Sequence, residues 1–249
     1  STLFPYTTLF RSYAAGFRTP TLSELYATDI AKKNDRLTIG NLDLKSEKNN
    51  YFSLSAEYVH ERFSVSVNAF YNNIRDMIDY NTIATGDKAM EQYGHKEVRQ
   101  RDNIAEAKVH GINVSANAYL GAGFNLSGGY THLNTQDVEL EQPIDKSIKN
   151  AYNINAQWAH SWKIYRLNIN LNGRINSKRF SKSYGYAPEY QLWNLNTRHS
   201  FNLKSVIIEP GCGMENLFDY MDDRPYNSNY ATLTPGRSFY ISLSLKFKS

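Results

Sequence analysis

The closing stretch of the chain, 236–247, alternates with strict period two. Phe239, Ile241, Leu243, Leu245 and Phe247 hold the odd positions, while Ser238, Tyr240, Ser242, Ser244 and Lys246 hold the even ones. Successive side chains of a β-strand point to opposite faces, so one face here is wholly apolar and the other carries hydroxyls and a charge. The stripe is about as long as a tilted membrane-crossing strand and has an aromatic at each end. Its polar face then looks into water and its apolar face into lipid.

That reading makes the composition intelligible. The 249 residues are 41% hydrophobic with a mean hydropathy of -0.57, which fits a membrane wall in which only alternate residues meet lipid. No apolar run is long enough for a spanning helix, which needs about 18 residues. Nineteen Tyr and twelve Phe can supply interfacial aromatic belts. The single cysteine, Cys212, forms no internal disulfide, and the six histidines are scattered without metal-ligand spacing. No catalytic constellation, metal site or cofactor motif is present in the sequence. The net charge of +4 comes from interspersed acids and bases, which excludes nucleic acid as the expected partner.

Alternation recurs along the chain and predicts about ten strands, at 13–18, 50–59, 63–80, 98–120, 124–138, 150–160, 164–176, 189–201, 206–219 and 236–247. In the seventh, Leu167, Ile169, Leu171 and Ile175 oppose Arg166, Asn168, Asn170, Asn172 and Arg174. Two arginines are costly toward lipid and natural toward a wet lumen, so the polar face is assigned to the lumen. The connections also sort: those at 60–62, 121–123, 161–163 and 202–205 are tight, whereas 21–49, 81–97, 139–149, 177–188 and 220–235 are long and polar. Short turns on one rim and long loops on the other are the arrangement of an outer-membrane β-barrel, with the long loops extracellular. Residues 1–12 alternate poorly and resemble translated sequencing-adapter read-through, and are set aside as non-native. No signal-peptide pattern opens the sequence, which suggests that an amino-terminal half is missing.

Five boxes in order resemble one family. Tyr13-Ala14-Ala15-Gly16-Phe17-Arg18-Thr19-Pro20, continuing to Glu24-Leu25-Tyr26, resembles the mid-barrel signature of TonB-dependent outer-membrane receptors. Gly40-Asn41-Leu42-Asp43-Leu44-Lys45-Ser46-Glu47 resembles the box that follows it, with Leu42 and Ser46 where prolines are usual. Phe70–Ile78, Glu215-Asn216-Leu217-Phe218-Asp219 and Pro235-Gly236-Arg237-Ser238-Phe239-Tyr240 resemble the next strand motif and the carboxyl-terminal signature. The resemblance implies an all-β, antiparallel transmembrane barrel fragment: the last ten of about 22 strands, open when standing alone. It also implies uptake of a scarce nutrient (siderophore, cobalamin, haem or glycan) energised by a TonB complex through a plug domain that these residues do not contain. The implied partners are outer-membrane lipid, that complex, and an extracellular small-molecule or glycan ligand; the implied location is the bacterial outer membrane, and no enzyme activity is implied.

Loops on a rigid wall commonly carry binding, so Tyr26, Tyr93, Tyr184, Tyr186 and Tyr226 are candidate ligand contacts. No histidine lies within 21–39, which argues against haem, and His95 in the next loop is the remaining candidate. The competing readings are a passive porin or barrel enzyme, which needs a closed barrel or a catalytic set at one rim, and a soluble β-sandwich, which needs an apolar face packed on a second sheet.

Overall fold

The computed structural model describes residues 6–181, 185–222 and 235–248. Two short helices, α1 (Leu22–Tyr26) and α2 (Gly86–Tyr93), accompany fourteen strands among these residues. The strands are β1 (Tyr6–Arg18), β2 (Thr28–Ala31), β3 (Arg36–Ile39), β4 (Glu47–Val59), β5 (Phe63–Thr85), β6 (Glu97–Gly121) and β7 (Phe124–Asp137). They continue as β8 (Asn150–Trp162), β9 (Tyr165–Asn176), β10 (Arg179–Ser181), β11 (Gly185–Ala187), β12 (Tyr190–Asn202), β13 (Val206–Glu215) and β14 (Ser238–Phe247).

Ten of these form one antiparallel meander in the order β1-β4-β5-β6-β7-β8-β9-β12-β13-β14. The sheet does not close on itself: among the described residues β1 pairs with β4 alone and β14 with β13 alone. Paired residues share a face, so the register carries one apolar row across neighbouring strands. Leu54 pairs Ala69, Ala69 pairs Ile112, and Ile112 pairs His132. Farther along, Trp158 pairs Ile169, Ile169 pairs Thr197, Thr197 pairs Cys212, and Cys212 pairs Ile241. The other face runs Ser53, Phe70 and Gly111 at one end and Gln157, Asn170, Asn196, Gly213 and Tyr240 at the other.

Among the described residues nothing packs against the apolar face. Ile241 is 88% exposed and Phe247 81%, and the buried apolar residues described are few and small, Val98 being the bulkiest fully buried one. A soluble sandwich would bury this face against a second sheet; here it is left exposed. No described helix is long and apolar enough to cross a membrane, which says nothing against crossing by strands.

Strand limits differ from the sequence expectation at three places. β1 begins at Tyr6, its residues Tyr6 through Ser12 pairing in register with Val59 through Ser53; backbone ladders need no side-chain alternation, so poor patterning does not end a strand. β5 runs past its expected end at 80 to Thr85, because it keeps pairing with the start of β6. β13 stops at Glu215 rather than 219, since Asn216 and Asp219 take left-handed φ values of 51° and 57° that no strand continues. The long connections, expected as plain loops, contain α1, α2 and the hairpins β2–β3 and β10–β11.

Candidate functional site

The loop rim is built outward from β1. Thr21 caps α1, its hydroxyl accepting from the Glu24 amide while the Glu24 carboxylate accepts from the Thr21 amide. Arg18, the last residue of β1, donates to both Glu24 carboxylate oxygens at 3.2 and 2.9 Å and to Glu47 at 2.7 and 2.5 Å. Glu47 in turn accepts from the Ile78 amide at 2.9 Å. One guanidinium and one carboxylate thus tie together three sequence boxes that lie far apart along the chain. The Arg18 hydrogen bond holds the Glu24 carboxyl down at about 2. Gly40 completes the fold-back: a Cβ there would sit 2.5 Å from the Leu25 carbonyl oxygen, so a side chain has no room.

The β2–β3 hairpin then lies against the outer extension of β6, with β3 parallel to it from Arg36↔Glu97 to Ile39↔Gln100. Ala84, Ala89 and Val98 form a small buried core there, flanked by Leu37, Ile39 and Ile83. His95 Nδ1 is 2.8 Å from Asp35 Oδ1, and the Lys96 amide donates to the Asp35 carbonyl. The His95 contact lowers the Asp35 pKa. The two loops around β2–β3 and α2 are therefore one platform.

On the other side of the rim, the 138–149 segment and the β10–β11 hairpin are joined. Lys146 and Ser147 exchange backbone hydrogen bonds with Phe180, and Ile148 bridges Arg179. Beyond it Asn216, 4% exposed, pins the last loop. Its Nδ2 donates to the carbonyls of Tyr220 and Pro235, and its Oδ1 accepts from the Tyr220 amide.

Of the candidate ligand contacts, Tyr26 stands at the end of α1 and is 67% exposed, and Tyr93 ends α2 at 41%. His95 belongs to the same platform, with Nδ1 committed to Asp35. Tyr186 lies in β11, across the hairpin from Phe180 with ring centroids 5.3 Å apart. Tyr184 and Tyr226 lie outside the described residues. The candidates thus fall on two separate pieces of the rim rather than around one point. Arg18, Glu24, Glu47, Asp35 and Asn216, which organise these pieces, are not among the residues picked out as ligand contacts. The Thr21-x-x-Glu24 capping pattern was the readable signal for part of this network. Among the described residues no group of three or more His, Cys, Asp or Glu could hold a metal.

The family described as "TonB dependent receptor-like, beta-barrel" matches residues 2–217. The chain belongs to the TonB-dependent receptor β-barrels. This family consists of receptors and transporters of the bacterial outer membrane. A probable TonB-dependent siderophore receptor, PiuA, of Acinetobacter baumannii is 28% identical over 162 residues, spanning 58% of this chain and 21% of that protein. The ferric enterobactin receptor PfeA of Pseudomonas aeruginosa superposes with a TM-score of 0.72 at 20% identity, covering 97% of this chain and 38% of that one. BauA, the ferric preacinetobactin receptor of Acinetobacter baumannii, gives 0.67 at 14%, covering 97% and 34%. At these identities the two superpositions establish the fold. The receptor barrel described here therefore spans between about a fifth and two fifths of the length of these relatives.

Proposed function

We propose that this chain is the carboxyl-terminal part of the wall, with five extracellular loops, of a receptor that imports a ferric siderophore across the outer membrane. The observation that carries the reading is the family match over 2–217, together with a siderophore receptor among the curated relatives. A plug domain and its contact with an energising TonB complex belong to the same proposal, since the matched relatives are much longer than this chain. Residues 1–12 are proposed to be non-native; in β1 they would turn Arg11 to the lipid side, opposite Leu54, and Phe10 to the lumen, opposite Ser55.

Ligand contact is assigned to Tyr26, Tyr93, Tyr186 and, within the segments not described, Tyr184 and Tyr226. Haem is disfavoured: the loop 21–39 has no histidine, and one nitrogen of His95 is held by Asp35. The test is radio-iron uptake by cells lacking their own siderophore receptors and expressing the full-length protein that contains this wall. Uptake of a ferric siderophore that is abolished by removing the membrane potential supports the reading. Uptake of none, with the protein present and folded in the outer membrane, overturns it.

A further inference from the structure

The apolar face is not flat: it carries a groove at its tight-turn end. Ala156 of β8 pairs with Leu126 of β7 on one side and Leu171 of β9 on the other. One pleat nearer the turns, Trp158 pairs with Phe124 and Ile169. The small Ala156 side chain, set among larger ones, leaves an apolar-walled trough of about 540 Å³ that reaches the turn between β6 and β7. That volume falls in the range of about 300–1,000 Å³ usual for small-molecule sites. The turn end is fixed, because Trp158 Nε1 donates to the Ala122 carbonyl at 3.1 Å. From there an amphipathic aromatic ledge follows the rim: Trp158 stacks on His160 with planes 9° apart, His160 lies 4.4 Å from Trp162, and Trp162 stacks on Tyr165 at 5.5 Å.

The tight turns carry unanswered positive charge. They hold Arg62, Lys163 and Lys204 against one acid, Glu61. Among the described residues these three cations make no ion pair, whereas at the loop rim Arg18, Arg36, Lys48 and Lys108 each meet a carboxylate. Two of the three flank the groove mouth. The Arg62 carbonyl accepts from the Tyr119 amide, next to the groove residue Leu120, and Lys163 directly follows Trp162 of the ledge. An apolar trough takes a hydrocarbon chain, and its place on the outward face turns it away from anything passing through the lumen. Cations at one end of that trough call for a chain that ends in negative charge.

We propose that this groove holds one anionic phospholipid, with an acyl chain along Ala156 and the phosphate at the Lys163 end. It rests on the uptake reading only for orientation, with the apolar face in lipid and the tight turns at the periplasmic surface. The test uses the full-length receptor that contains this wall, purified in detergent and mixed with phosphatidylglycerol or with phosphatidylethanolamine of the same acyl chains. Lipid retention is followed by native mass spectrometry for the native protein, for Lys163→Asn, for that change combined with Arg62→Gln and Lys204→Gln, and for Ala156→Phe. Asparagine suits position 163, where the backbone has φ 42°. Heat-modifiability confirms that each variant is folded.

The native receptor is expected to hold phosphatidylglycerol about tenfold or more tightly than phosphatidylethanolamine, and less so at high salt. Lys163→Asn should lower that preference about fivefold, and the triple change should erase it. Ala156→Phe fills the trough and should lower retention of both lipids. Equal retention of the two lipids by the native receptor, an unchanged preference in the triple variant, or undiminished phosphatidylglycerol retention in Ala156→Phe would each overturn the site. Ferric siderophore uptake by cells expressing the native receptor keeps the two readings apart. Uptake without lipid retention overturns the lipid site alone, and lipid retention without uptake overturns the uptake reading alone.

Discussion

The guanidinium of Arg18 meets the carboxylate of Glu47 at 2.5 Å across 29 residues of sequence, and the same guanidinium holds Glu24. Because the Arg18 side chain is 43% exposed while Glu24 and Glu47 are 12% and 15% exposed, removing the arginine leaves two carboxylates facing each other in a partly shielded place. Arg18→Ala should cost about 1–2 kcal/mol, and it should speed amide exchange through α1 and the start of β4. The Glu24 carboxyl, held at about 2 against an ordinary 4.5, contributes stability that is present above pH 4.5 and lost as pH falls toward 2. Acid unfolding of the loop platform followed by exchange should therefore begin at higher pH in Arg18→Ala; coincident acid profiles for the two proteins would contradict the assignment.

Asn216 should be worth more than its size suggests. Its side chain satisfies a carbonyl on each side of the last loop and the Tyr220 amide, and its backbone sits at φ 51°. Asn216→Ala loses all three bonds and keeps an unfavourable backbone, for a cost of about 2–3 kcal/mol. Asn216→Gly relieves the backbone and should fall between. The check is the temperature at which the barrel of each full-length variant loses heat-modifiable mobility on a gel.

Gly173 lies on the lipid side of β9, beneath the Trp193 ring. An added Cβ would stand 2.5 Å from that ring, whose rigid plane cannot fold aside, so Gly173→Ala should cost about 1–3 kcal/mol by displacing Trp193. Changed tryptophan emission with lowered stability in lipid is the expected signature. An unchanged spectrum would show that the ring is not seated there.

A charge moved by one residue on β9 should separate the two faces. Ile169→Arg puts a guanidinium into lipid near the bilayer midplane and should cost about 2–4 kcal/mol, whereas Asn170→Arg joins a lumenal row that already holds Arg166 and Arg174 and should cost little. Folding yields into phospholipid vesicles measure the difference. Equal yields would reverse or erase the assignment of faces.

The 249 residues alone should form no channel. Among the described residues β1 and β14 each present an unpaired edge, and in a bilayer every unpaired backbone group costs several kcal/mol. Reconstitution into planar bilayers should give aggregates or irregular leakage; discrete and reproducible conductances would mean that the ten strands close on themselves.

The ten strands of the meander, the split of each into an apolar and a polar face, and the sorting of tight turns from long connections were legible in the sequence, because strands and faces follow from period-two alternation between neighbours in the chain. Phe239 through Phe247 and Arg166 through Arg174 declare their faces without reference to anything distant. The sequence boxes also announced the family, but not why their polar residues stand where they do. That was decided by tertiary structure: Arg18, Glu24 and Glu47 meet only once β1 and β4 pair and α1 folds back over Gly40. The joining of His95 to Asp35, the parallel seat of β3 on β6, and the placing of Ala156 between Leu126 and Leu171 likewise require register between strands. Alternation says which way a side chain points, but only the ladder of backbone hydrogen bonds says which side chain stands beside it.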